Sequence, residues 1–146
     1  MDTVAVAARH VPVPSSAERT RDPGAVTGRP RTFLRVEGLA LLIVALVAYS
    51  RTGQAWWLLP ATVLLPDLGA LGYLASRSVG ALVYNLMHAT PLPLAMLGLA
   101  LWHASMLPVA LALVWLAHIG MDRAMSYGLK HDDGPNHTHL GRHGRA

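Results

Sequence analysis

The chain has no cysteine. Disulfides, thiolate nucleophiles and cysteine-ligated zinc are therefore excluded, and any bound metal must rely on imidazole and carboxylate ligands. Charge is scarce as well: Asp, Glu, Lys and Arg make up 14% of 146 residues, against 53% hydrophobic side chains. That balance is too apolar for an ordinary soluble domain. What charge there is avoids the middle of the chain, because between Gly38 and Met121 only Arg51, Asp67 and Arg77 are formally charged. Phosphate loops, nucleophile elbows and dinucleotide fingerprints are missing too, which removes the common cofactor enzymes. The excess of 12 Lys and Arg over 8 Asp and Glu has no accompanying basic and aromatic surface pattern. No nucleic acid is expected, and in so apolar a chain the basic residues are first a matter of membrane topology.

What is present reads as an all-α integral membrane protein, a four-helix up-down bundle behind a disordered N-terminal arm. Residues 1–32 are rich in Pro, Ser, Ala and Arg and show no apolar period, so they are expected to be a disordered arm. Its "VAVAA" is too short for the apolar region of a signal peptide. Four apolar segments follow, over about 33–50, 56–75, 79–101 and 106–129, each near the roughly 20 residues a helix needs to cross a bilayer. They form a transmembrane domain over 33–130, followed by a His-rich tail over 131–146. The connections "RTGQA", "SRS" and "HAS" are short, which makes successive helices antiparallel neighbours. Pro91 and Pro93 should kink the third helix and free a carbonyl near His88 or Thr90 for another donor.

Orientation follows from the basic residues. The arm, the connection between segments two and three, and the tail would share one side, and that side carries every Lys and Arg except Arg51. The positive-inside rule then places both termini in the cytoplasm, with the chain crossing the membrane several times.

In such a bundle the polar residues fall at one depth. Counting helical rise from the cytoplasmic ends, Asp67, His88, His118 and Asp122 lie roughly 10 to 16 Å in, on three different helices, with Glu37 shallower. His118 and Asp122, and likewise Tyr84 and His88, are four residues apart and so share a helical face. Burying such groups in lipid is costly unless they face inward and meet partners or water. One reading is a site near the cytoplasmic face in which Asp67, His88, His118 and Asp122 hold a divalent metal, Zn, Mn or Fe. Glu37 or Tyr84 would then assist proton transfer, and Arg123 would hold an anionic group. That would make the protein a metal-dependent membrane hydrolase acting on an amphiphilic substrate. The other readings are a proton or metal-ion transport component in a homo-oligomer, and a structural membrane protein whose polar network only fixes helix packing.

The blocks "RVEGLALL", "PDLGALGYL", "VGALVYNLMH", "LVWLAHIGMDRAMSYGLK" and "THLG", in this order, resemble the bacterial DUF4260 family of small integral membrane proteins, whose function is uncharacterised. The resemblance spans about residues 33 to 142. It implies that Glu37, Asp67, Tyr84, Asn85, His88, His118, Asp122, Arg123, Lys130 and His139 are motif positions, and it adds His139 to the metal-ligand candidates. This chain departs from the family pattern just before "THLG", where "HDDGPNH" stands in place of an aromatic residue. The placing of His and Asp on short membrane helices is also loosely similar to the YdjM-like membrane metal-dependent hydrolases.

Overall fold

The computed structural model describes residues 24–142. Most of the expected arm, residues 1–23, and His143 at the end of the tail lie outside the described residues. The described chain is mostly helical, with five α-helices, one 3₁₀ helix and a small hairpin.

Helix α1 (Arg29–Ser50) starts four residues earlier than the apolar pattern suggests. Gly28, at φ 66°, turns the chain into it, and Pro30 sits in the first turn, where a missing N–H costs nothing. Gly38, Ala45 and Tyr49 form its buried edge, while Phe33, Val36, Ile43, Val44 and Val47 are exposed. The buried edge packs along helix α5 (Met106–Ala124), the central helix, whose segment from Val109 to Gly120 is almost wholly buried. The two backbones touch where they cross. A Cβ on Gly120 would stand 2.6 Å from the Leu42 nitrogen and 2.7 Å from the Gly38 oxygen. Small residues that let membrane helices approach this closely are a common device for packing without a hydrophobic driving force.

The single helix expected over 56–75 is two pieces, α2 (Leu58–Thr62) and a 3₁₀ helix (Leu65–Leu74). Pro66 explains the break, since it cannot donate to the Thr62 carbonyl that a continuous α-helix would offer it. The 3₁₀ stretch has a sequence period of three, matching three residues per turn. Leu65, Leu68, Leu71 and Leu74 all point outward and are exposed. Pro66 and Gly69 are buried and Gly72 half-buried, and both glycines abut helix α3 (Arg77–His88). Asp67 and Tyr73 share the third face. Ser76 caps α3 by accepting the Val79 N–H at 3.1 Å.

The third expected helix, 79–101, is likewise divided, into α3 and α4 (Pro91–Trp102), bent by about 40°. Ala89 leaves the helical conformation, and Pro91 has no N–H for the Met87 carbonyl four residues before it. The indole N–H of Trp115 takes that role, donating to Met87 O at 2.6 Å. The freed carbonyl expected from the prolines thus sits one residue before His88.

Helix α5 ends at Ala124 rather than continuing to 129, and Arg35 donates from Nε to the Ala124 carbonyl at 2.9 Å. The chain then folds back. Strands β1 (His137–Thr138) and β2 (Gly141–Arg142) pair antiparallel, and residues 129–131 bond along 137–139. Val26 N–H donates to the His139 carbonyl at 2.8 Å, so the approach to α1 lies on the same patch. The His-rich tail, as far as it is described, is therefore ordered cover rather than a free extension.

These elements do not confirm an up-down bundle of four helices. Helices α1 and α5 are long and apolar enough to cross a membrane, and the bent α3–α4 pair could serve as a third span. Leu58–Leu74 is shorter.

Candidate metal centre

Three elements deliver four side chains to one point. Asp67 comes from the first turn of the 3₁₀ helix, His88 from the last residue of α3, and His118 and Asp122 from one face of α5. His88 Nε2 lies 3.1 Å from His118 Nε2, 3.3 Å from Asp67 Oδ1 and 3.5 Å from Asp122 Oδ2. His118 Nε2 lies 3.6 Å from the same Asp67 oxygen and 3.7 Å from the same Asp122 oxygen. All four donor atoms fall within 4.8 Å of one another.

These separations have a direct meaning. Four N and O ligands held tetrahedrally about 2.1 Å from an ion stand about 3.4 Å apart. Five of the six separations run from 3.1 to 3.7 Å around that value, and the sixth, between the Asp67 and Asp122 oxygens, lies within 4.8 Å. Hydrogen bonds between the same atoms are usually shorter, near 2.9 Å.

The tautomer of His88 fits as well. Its Nδ1 is 2.9 Å from the Tyr84 carbonyl, which can only accept, so Nδ1 carries the proton. That leaves the Nε2 lone pair directed at the cluster, the usual arrangement for a ligating imidazole with a second partner behind it. The Tyr84 ring stacks on His88 at 3.7 Å between centroids and 9° between planes, fixing the rotation. His118 is 1% exposed, and its Nδ1 has no hydrogen-bond partner among the described residues.

The group is accessible from one side. His88 and His118 are buried and Asp122 is nearly so, whereas the Asp67 side chain is 45% exposed. The opposite side is closed by residues 125–130. A space of about 10 Å³ remains there between His88, Asp122, Arg123 and Tyr127, about the room one water needs. Asn85 holds this cover in place by a reciprocal pair, donating to the Lys130 carbonyl at 2.9 Å and accepting the Lys130 N–H at 2.7 Å. The Lys130 ammonium stands 3.9 Å over the Tyr84 ring and 5.7 Å from that of Tyr73. Burial pulls it below its ordinary value, and the Asp67 and Asp122 carboxylates oppose that.

The remaining site candidates fall in different places. The Tyr84 hydroxyl faces the Asp122 carboxylate, and Arg123 lines the small space beside it. Glu37 is exposed on α1 and is not one of the four. His139 is not brought into the cluster either. Its Nδ1 accepts the Leu129 N–H at 2.9 Å, and a Cβ on Gly128 would stand 2.6 Å from that nitrogen. Burial first, then Arg123 and His131, push its imidazole below the ordinary histidine range. His139 is thus a neutral acceptor that shapes the cover. Lys130 and Trp115 are the participants that residue spacing alone did not single out; both lie inside the blocks that carried the resemblance.

Comparison with known proteins adds one match. The DUF4260 family, described as a domain of unknown function, matches residues 31–143, and the chain belongs to it. Neither the curated proteins nor the solved structures contain a match.

Proposed function

We propose, from this DUF4260 chain and its four converging donors, that the protein binds one divalent metal ion through Asp67, His88, His118 and Asp122. In this reading it is a hydrolase embedded in the bacterial inner membrane, with both termini cytoplasmic. The observation that carries the metal is the match of five of the six donor separations to ligand spacing, with the lone pair of His88 already directed inward. Two carboxylates neutralise a 2+ ion, and two imidazoles suit Zn, Mn or Fe.

A divalent ion held there would polarise a carbonyl or phosphoryl oxygen and acidify a water. The chain's own residues supply the rest. Asp67 is the exposed ligand, on a 3₁₀ helix whose hydrogen bonding is weaker than an α-helix's, and so is the one suited to yielding a coordination position. Water adds to the acyl carbon or phosphorus and releases a proton to the Asp122 carboxylate, the bond to the leaving oxygen or nitrogen breaks, and that atom takes a proton from Tyr84, which Asp122 then reprotonates. Tyr84, with its hydroxyl at Asp122, is the proton donor, and Arg123 holds negative charge on the substrate.

Elemental analysis of the full chain purified in mild detergent tests the metal. One equivalent of Zn, Mn or Fe, lost in His118→Ala with membrane insertion intact, supports the reading. Stoichiometric absence after reconstitution with each metal overturns it. Release of a carboxylate or phosphate from an amphiphilic ester, abolished with the metal, tests the hydrolase.

A further inference from the structure

Lys130 brings a cation to the open side of the centre. Its backbone belongs to the cover, pinned by Asn85 at both the N–H and the carbonyl, but its side chain reaches back to the 3₁₀ helix. The ammonium stands 5.7 Å from the ring of Tyr73, which shares a face of that helix with the half-exposed Asp67. It also stands 3.9 Å over the Tyr84 ring, whose centroid lies 3.7 Å from that of His88 in a near-parallel stack. At such distances the ammonium and the imidazole cannot share one face of the phenol. Ammonium, phenol and ligating imidazole therefore form three layers, and the negative face of the ring holds the cation.

Charge balance decides what this arrangement can take. Asp67 and Asp122 act on the ammonium, whereas Asp132 and Asp133 act on Tyr73. Two carboxylates against one ammonium leave an excess of one negative charge, which draws in a cation. Two carboxylates against a divalent ion and the ammonium leave an excess of one positive charge, which draws in an anion. Arg123, on the covered side, adds to that field. We propose that Lys130 is a tethered counter-ion that changes partner: it neutralises Asp67 and Asp122 while no metal is bound, and it binds a phosphoryl group of the substrate once a divalent ion has taken both carboxylates. This inference rests on the metal-centre reading above and narrows its substrate to phosphate esters. A neutral carbonyl substrate would gain little from a free ammonium. A phosphoryl group carries a charge of about −1.5 to −2 near neutral pH and three strong acceptor oxygens, and lysine binds such groups as a point charge. The residue thus opposes the metal and favours the anion, a pair of signs that a merely structural role does not produce.

The test uses the full chain in mild detergent. Zinc affinity is measured against a competing chelator, and binding of inorganic phosphate to the zinc-loaded chain by calorimetry, in the unaltered protein, Lys130→Met and Lys130→Arg. Lys130→Met keeps most of the stem and removes the charge, so zinc should bind about tenfold more tightly and phosphate about tenfold more weakly. Lys130→Arg keeps the charge and should hold both affinities near their original values. A short-chain phosphatidic acid titrated in the same way separates two sources of the phosphoryl group. Affinity equal to that of inorganic phosphate supports a soluble phosphate ester, and tighter binding that still depends on Lys130 supports a lipid head group. Zinc affinity that falls or stays unchanged in Lys130→Met would overturn the proposal and leave the metal centre standing. So would phosphate binding that is absent or indifferent to the substitution. A chain that takes up neither Zn, Mn nor Fe would defeat the metal centre and this inference with it.

Discussion

His88 and His118 face each other Nε2 to Nε2 at 3.1 Å, across two helices whose sequence positions are thirty residues apart. With Nδ1 of His88 committed to a carbonyl, two buried imidazole nitrogens converge with at most one proton between them in the neutral state. A cation shared with Asp67 and Asp122 resolves that arrangement for all four groups at once. Removing either imidazole should therefore lower metal affinity by at least about 100-fold, since even supporting residues around a metal typically contribute 10- to 100-fold. Titration of the apo-protein with zinc in competition with a chelator measures it; undiminished affinity in His118→Ala would exclude His118 as a ligand.

Trp115 fills the hydrogen bond that Pro91 cannot make to Met87. Trp115→Phe keeps the ring and removes the donor, leaving a carbonyl without a partner beside His88. The expected loss is about 1 kcal/mol, within the range for interhelical hydrogen bonds in membranes. It would appear as a lower thermal midpoint in detergent. Pro91→Ala in the same background restores a backbone donor and should recover part of the loss.

The crossing of α1 and α5 predicts a steep size dependence. At Gly120 an added methyl meets backbone atoms of Leu42 and Gly38, which cannot swing aside, so Gly120→Ala should cost about 1 to 3 kcal/mol through overpacking. At Gly98 in α4, by contrast, an added methyl would meet nothing within 4 Å. Gly98→Ala should be neutral or stabilising by up to about 1 kcal/mol through helix propensity. Equal effects at the two glycines in a thermal shift measurement would contradict the close crossing.

Asn85 clamps the cover by both of its amide atoms. Asn85→Asp keeps the acceptor for the Lys130 N–H and loses the donor to the Lys130 carbonyl, while Asn85→Leu loses both. Hydrogen exchange at Lys130 should rise modestly in the first and by at least about tenfold in the second, each lost bond contributing about 1 kcal/mol. Unchanged exchange in Asn85→Leu would show that the cover is held elsewhere.

His139 sets a pH response for the same cover. Its folded imidazole titrates below the ordinary value of 6.5, so the unfolded chain binds more protons across that window, and stability rises with pH through it. The contribution of the neutral ring is complete above about 6.5 and is lost as pH falls toward the folded value. Exchange of the Leu129 amide, which donates to His139 Nδ1, should quicken on acidification. In His139→Gln that acceleration should shrink, and an unaltered profile would assign the response to another group.

Much of the site was legible in the sequence because it depends on depth and helical phase. His118 and Asp122 share a face at any reasonable helix boundary, and Asp67 and His88 reach the same level from segments running in opposite directions. The breaks were less legible. Pro66 and Pro91 marked where hydrogen bonds would be missing, but a proline can either kink a span or end it, and tertiary partners decide which. Here the Trp115 indole supplies the donor that Pro91 lacks. The three-residue period of Leu65, Leu68, Leu71 and Leu74 is visible in the sequence but merges into a general apolar run. The fold-back of the tail depends on backbone pairing between 129–131 and 137–139, which leaves no compositional trace. His139 stands among the ligand candidates because motif membership does not distinguish a residue that binds from one that supports.

The hairpin of the 3₁₀ helix and α3 packs closely on itself, whereas the 3₁₀ helix touches α5 only sparsely. Asp67 and His88 belong to that hairpin, and His118 and Asp122 to α5, so the four donors are distributed two and two across the seam. An ion bound there would rivet one piece to the other. Without it the hairpin should come away first and the α1–α5 pair later, giving two transitions on heating. With it the whole assembly should melt as one, so that a bound ion would make the two pieces a single mechanical body.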